Sequence, residues 1–186
     1  MNQQPVSYLQ TDPRWSAKDY SARGEKTTIG ASGCGPTAMA MVLATWADPQ
    51  VTPATECAWA LAHGYKAPRQ GTYYGYFPPA AARYGLTCRQ MNWSSLYGNP
   101  NSSLHAQAKG EIAKGNLVIA CMALGCGTSS GHFVLVWRSG GTPCTSMIQP
   151  DKSRQDPGGL HPVPAAGEVL FCHRTPGQAA GDIGGG

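Results

Sequence analysis

The sequence predicts an α+β domain in which helices come first and a small antiparallel sheet follows. Three observations carry that expectation. A Gly-rich turn, Gly30-Ala31-Ser32-Gly33-Cys34-Gly35-Pro36, leads into small and apolar residues from Thr37 to Trp46, as a helix buried on most sides requires. Thr52-Pro53 reads as the N-cap and first residue of a second helix, which Gly64 closes. The second half carries apolar runs of strand length, separated by stretches rich in Gly, Ser and Pro. Helices followed by strands, without regular alternation of the two, is the α+β pattern.

Taken in order, residues 1–33 read as an extended, loop-rich arm with a turn at Asp12-Pro13-Arg14-Trp15. Helix one is expected over Pro36–Trp46, ended by Asp48-Pro49, because Pro at a first turn forfeits no intrahelical bond. His63 falls in the last turn of the second helix, where a partial positive charge suits the helix dipole. Gly71-Thr72-Tyr73-Tyr74-Gly75-Tyr76 sets aromatics among glycines, either as the wall of a groove or as packing under a loop. A short helix, Pro78–Tyr84, ends at Gly85, and Leu86–Met91 alternates as a strand. Leu104–Lys114 is polar and reads as an exposed helix, with His105 on its surface and Gly115 at its close. Leu117–Ala123 is a central strand, and His132–Trp137, Cys144–Ile148 and Glu168–Cys172 follow as three more. Residues 1–175 form one domain, and the Gly-rich 176–186 a flexible tail or the start of a linker.

Composition narrows the function. Charged residues are 13% of the chain and the formal net charge is +4 with no Lys/Arg run, which argues against nucleic acid as a partner. No segment is long and apolar enough to span a bilayer, and no signal peptide is visible. A cytoplasmic protein, or one exported by a non-classical route, is expected. Seven cysteines is an odd count. One nucleophile plus three disulfides among Cys57, Cys88, Cys121, Cys126, Cys144 and Cys172 is one arrangement, and about 15 connectivities satisfy it. A fully reduced protein is the favoured alternative. No Cys-x-x-Cys or His-x3-His pair suggests a metal.

The chemistry centres on Cys34. At a helix start, converging unpaired N–H groups favour an anion and lower a thiol pKa. Gly33 and Gly35 flank it and leave its approach free of side chains. A buried structural cysteine at a tight turn is the alternative. A thiolate nucleophile needs a base, and His132 follows a Gly/Ser loop and opens an apolar strand, so it can be held and exposed at once.

The segments Gln10-Thr11-Asp12-Pro13-Arg14-Trp15, Ser32-Gly33-Cys34-Gly35-Pro36-Thr37-Ala38, Gly71-Thr72 and Gly131-His132-Phe133-Val134-Leu135 resemble the bacterial peptidases related to the double-glycine leader (bacteriocin-processing) peptidases, in the papain-like cysteine peptidase superfamily. The resemblance runs from about Tyr8 to Ser153 and is most specific around Cys34. It implies a papain-like fold, with the N-terminal helices packed on the sheet that carries His132. It also implies acyl transfer without a cofactor: Cys34 as nucleophile, His132 as base, and Gln10 completing an oxyanion hole with the Cys34 N–H. The residue orienting His132 would be Gln149 by alignment of prolines, or Asp151 after a slip of two residues. Gly33, Tyr73, Tyr74 and Tyr76 would contact substrate. The substrate would be a peptide or the peptide stem of bacterial peptidoglycan, met by a monomer or by one module of a longer chain. An amidase or acyltransferase using the same site, and a catalytically silent binding module, are the competing readings.

Overall fold

The computed structural model describes residues 4–91, 103–122, 132–139, 142–146 and 166–174, with side chains described at 4–91, 106–121 and 132–137. A short helix α1 (Ile29–Ser32) leads directly into α2 (Cys34–Trp46), and α3 (Pro53–Ala62) follows. A single 3-10 turn at Tyr74–Tyr76 continues into α4 (Phe77–Ala82), and then come β1 (Leu86–Met91) and α5 (Ser103–Ala113). The remaining strands are β2 (Leu117–Met122), β3 (His132–Ser139), β4 (Thr142–Ser146) and β5 (Ala166–Arg174). They form one antiparallel sheet in the order β1-β5-β2-β3-β4, so the last strand in sequence inserts between β1 and β2. The architecture is α+β, as the sequence predicts.

Local chemistry explains the boundaries. Thr52 caps α3 by accepting from Thr55 N, the Thr55 hydroxyl faces back to the Thr52 N–H, and Pro53 takes the first position. Gly64, Gly85 and Gly115 end their helices at φ +72°, +69° and +89°, values that favour glycine. The expected turn over Ser139–Pro143 is tighter in the structure. β3 runs on to Ser139 and β4 already begins at Thr142, pairing Pro143 with Arg138. Pro143 is tolerated because β4 is an edge strand, where a missing N–H costs no ladder bond.

The sheet is covered on both faces, which is why its strands read as continuous apolar runs. Leu117, Ile119, Cys121, Phe133 and Leu135 join the core beneath α2, α3 and α4. Val118, Ala120, Val134 and Val136 pack on the other side with Ile112 of α5. From Cys34 to Ala44 every residue of α2 is buried. The helix-side core therefore wraps α2 on all sides, and α2 rests against β3.

Candidate active site

The arm builds the turn that presents Cys34. Ile29 N donates to Lys18 O at 3.0 Å and Gly30 N to Ser16 O at 2.9 Å, so α1 is laid against residues 16–18. The expectation of an extended, loop-rich arm over residues 1–33 is corrected at its end, where the four-residue helix α1 precedes the cysteine. Buried Gln10 holds the same turn, its Nε2 donating to Ile29 O at 2.9 Å and to Gly30 O at 3.0 Å. A primary amide has two N–H donors, so both are spent on carbonyls. Gln10 Oε1 is buried without a partner. Gln10 thus acts in this arrangement as a strut for the Cys34 turn, and serving an oxyanion would require it to release a carbonyl.

Gly33 is the N-cap of α2, and Cys34 is the first residue of that helix, two residues earlier than the proline suggests. A Cβ on Gly33 would fall 2.8 Å from Ile29 O and 2.9 Å from Ile29 Cγ2. Glycine is thus demanded by the close approach of α1, a packing reason distinct from a substrate-contact role. A Cβ on Gly35 would lie 3.1 Å from Thr72 Cβ and 3.5 Å from the Phe133 ring. The helix start is therefore wedged between the Gly71-Thr72 segment and β3. Thr72 is held from behind by Tyr20, whose hydroxyl lies 2.7 Å from Thr72 Oγ1.

The fold joins the Cys34 and His132 segments through the backbone. Phe133 packs against the helix start, and its backbone N–H, like those of Gly35 and Cys34, favours the charged form of the Cys34 thiol. His132 is the first residue of β3. Strand alternation gives Phe133 and Leu135 the helix side and sets His132 in the row of Val134 and Val136. Phe133, the residue after His132, is the one on the Cys34 side of the sheet, and His132 Nε2 is buried without a partner.

Burial governs both groups. It pushes the Cys34 thiol above its ordinary 9.0, which the backbone N–H groups of Phe133, Gly35 and Cys34 only partly offset. The expectation of a lowered Cys34 pKa is corrected accordingly. His132 is pushed below its ordinary 6.5 by burial alone. Both directions favour the uncharged forms, a thiol at Cys34 and a neutral imidazole at His132.

The aromatic segment divides. Tyr76 is fully buried, donates its hydroxyl to Glu56 Oε2 at 2.8 Å, and packs edge-on to Phe77, so it belongs to the core and not to a groove wall. Tyr73 is 50% exposed. Tyr74 is half-buried with its ring 5.5 Å from that of Phe133, which places it beside the residue packed against the Cys34 helix start. Sequence reasoning missed Tyr20 and Thr72 as the backing of the Cys34 turn. The Gly71-Thr72 pair was the available signal, since a glycine next to a small hydroxyl permits close approach to a helix.

Gln149, Asp151 and Cys126 lie outside the described residues, as does the side chain of His105. His63 is the exposed C-cap of α3, its Nδ1 at 2.8 Å from Trp59 O, in keeping with a helix-end role. Among the described residues no group of three or more His, Cys, Asp or Glu gathers as a metal site, and no helix is long and apolar enough to cross a membrane.

No curated protein and no solved structure matches the chain. A family model, described as the Peptidase_C39 like family, matches residues 9–137, a span that takes in Gln10, Cys34, Thr72 and His132 and stops short of Gln149 and Asp151. With most of its length matched, from the arm through the strand that starts at His132, the chain belongs to the Peptidase_C39 like family, a family related to the papain-like cysteine peptidases.

Proposed function

We propose that this protein is a cysteine peptidase of papain-like fold that cleaves amide bonds in peptides, with Cys34 as nucleophile and His132 as general base. The observation that supports the reading is the placement of Cys34 at the first position of α2, with Phe133, the residue after His132, packed against that helix start. Two neutral groups define the starting state. The imidazole accepts the thiol proton as sulphur attacks the carbonyl, so ionisation and attack are coupled. The imidazole closes onto the thiol when substrate binds, as catalytic hydrogen bonds commonly tighten only in the complex. Backbone N–H groups at the start of α2 receive the oxyanion, at roughly 3 kcal/mol per well-placed donor. His132 then protonates the leaving amine, and water clears the thioester. Either Gln149 or Asp151 orients His132, and Tyr73 and Tyr74 line the approach.

Turnover of a mixed peptide library tests this. Cys34→Ser and His132→Ala should each reduce cleavage at least about a hundredfold. Near-normal cleavage by either folded variant would refute the assignment. Product analysis on peptidoglycan stems beside linear peptides decides between the two substrate classes. Transfer to an added amine, in place of water, would favour the acyltransferase reading.

A further inference from the structure

We propose that Cys88 and Cys172 form a reversible cross-strand disulfide that fastens the C-terminal strand into the sheet. β1 and β5 pair antiparallel over six consecutive positions, from Leu86 opposite Arg174 to Met91 opposite Val169, and Cys88 stands directly opposite Cys172. Directly opposed residues of an antiparallel pair have Cα atoms about 4.5–5.5 Å apart and share a face of the sheet. That separation falls inside the roughly 4.4–6.8 Å window that a disulfide spans. A shift of one residue in register would place the two cysteines on opposite faces. The β1–β5 ladder carries no such shift, whereas the β2–β5 ladder has one between Cys121 and Met122.

The surroundings suit a slowly exchanging bond. Cys88 is buried in the helix-side core, and Leu117, opposite Cys172 on β2, belongs to the same core. Burial of Cys88 slows exchange with small thiols and small disulfides alike, without preventing it. Among the described residues β5 is the last strand in sequence, and it sits between β1 and β2. The link would close most of the second half of the chain into a loop, and a disulfide closing a long loop restricts the unfolded chain most.

The oxidant is a small-molecule disulfide such as oxidised glutathione. The Cys88 thiolate attacks one of its sulphurs, forming a mixed disulfide and expelling one thiolate. The Cys172 thiolate then attacks the Cys88 sulphur and expels the second. Two cysteine thiols and one small disulfide give one protein disulfide and two small thiols, and the exchange reverses in excess thiol.

Equilibration of the folded protein with graded ratios of oxidised and reduced glutathione, acid quenching, alkylation and non-reducing peptide mapping provides the test. The expected result is a Cys88–Cys172 linked peptide, two hydrogens lighter than its parts, which disappears with dithiothreitol. The oxidised protein should melt roughly 5–15 °C above the reduced one. Cys172→Ala should abolish both the linked peptide and the redox-dependent shift. Recovery of Cys88 and Cys172 as separate alkylated or glutathionylated peptides at full oxidation would overturn the proposal. So would a linked peptide joining Cys88 to Cys57, Cys121 or Cys34.

Discussion

At Cys34 and His132 the cost of burial falls on the charged form of each group, and this sets two pH predictions. His132 ionises in the folded protein below 6.5, so the unfolded chain binds its proton first as pH falls. Its contribution to stability is intact above pH 6.5 and is lost as pH drops through the folded pKa. Cys34 ionises in the folded protein above 9.0, so its contribution is lost as pH rises past 9.0. Melting temperature against pH should therefore decline on both sides of that window, and His132→Asn should flatten the acid side. Gln10 has a separate test. Gln10→Ala leaves buried carbonyls of the Cys34 turn short of a donor, which should lower stability by about 1–3 kcal/mol. A loss of turnover with unchanged stability would instead return Gln10 to the oxyanion. The orienting residue is tested by Gln149→Ala and Asp151→Ala with pH–rate profiles. A carboxylate partner raises the imidazole pKa and a carboxamide does not. If both variants are silent, the enzyme works as a dyad.

Elements brace the site from behind. Lys66, its side chain 1% exposed, pairs with Glu25 at 2.6 Å and so fastens the arm to the segment that carries Thr72. The Lys66 ammonium beside it, with backbone donors, holds the Glu25 carboxyl down at about 2. Glu25 therefore supports stability above pH 4.5, and that support is lost as pH falls from 4.5 toward 2. Glu25→Gln should remove this part of the acid transition, visible as a flatter melting curve against pH below 4.5. Tyr76 and Tyr74 separate core from groove. Tyr76→Phe strips a buried hydrogen bond from the Glu56 carboxylate and should cost about 1.5–3 kcal/mol without altering KM. Tyr74→Ala should raise KM while leaving the melting temperature nearly unchanged.

For the whole molecule, element type was legible in the sequence wherever one local rule decided it. Thr52-Pro53 marks the start of α3 and Gly115 the end of α5, because capping and left-handed glycine act over a few residues. The central strand was legible in the continuous apolar run of β2. The place of β5 between β1 and β2 was not, since strand order is a matter of long-range packing that leaves no local mark. Cys34 and His132 were legible as candidates, but their environment was not. The helix start argued for a lowered thiol pKa, and the depth of α2 in the core, a property of the assembled fold, reversed the direction. Tyr76 misled for the same reason, as an aromatic among glycines reads alike in a groove and in a core.

The central claim is the proposal that Cys34 acts as nucleophile and His132 as its base. Its most direct measurement is the rate of alkylation by iodoacetamide against pH, read by peptide mass mapping in the parent protein and in His132→Ala. The account predicts that Cys34 is modified first, and that its rate rises with a midpoint below pH 6.5 as His132 loses its proton. In His132→Ala that rise should vanish, leaving only the thiol's own ionisation above 9.0. Identical profiles in the two proteins, or first labelling at a different cysteine, would contradict it.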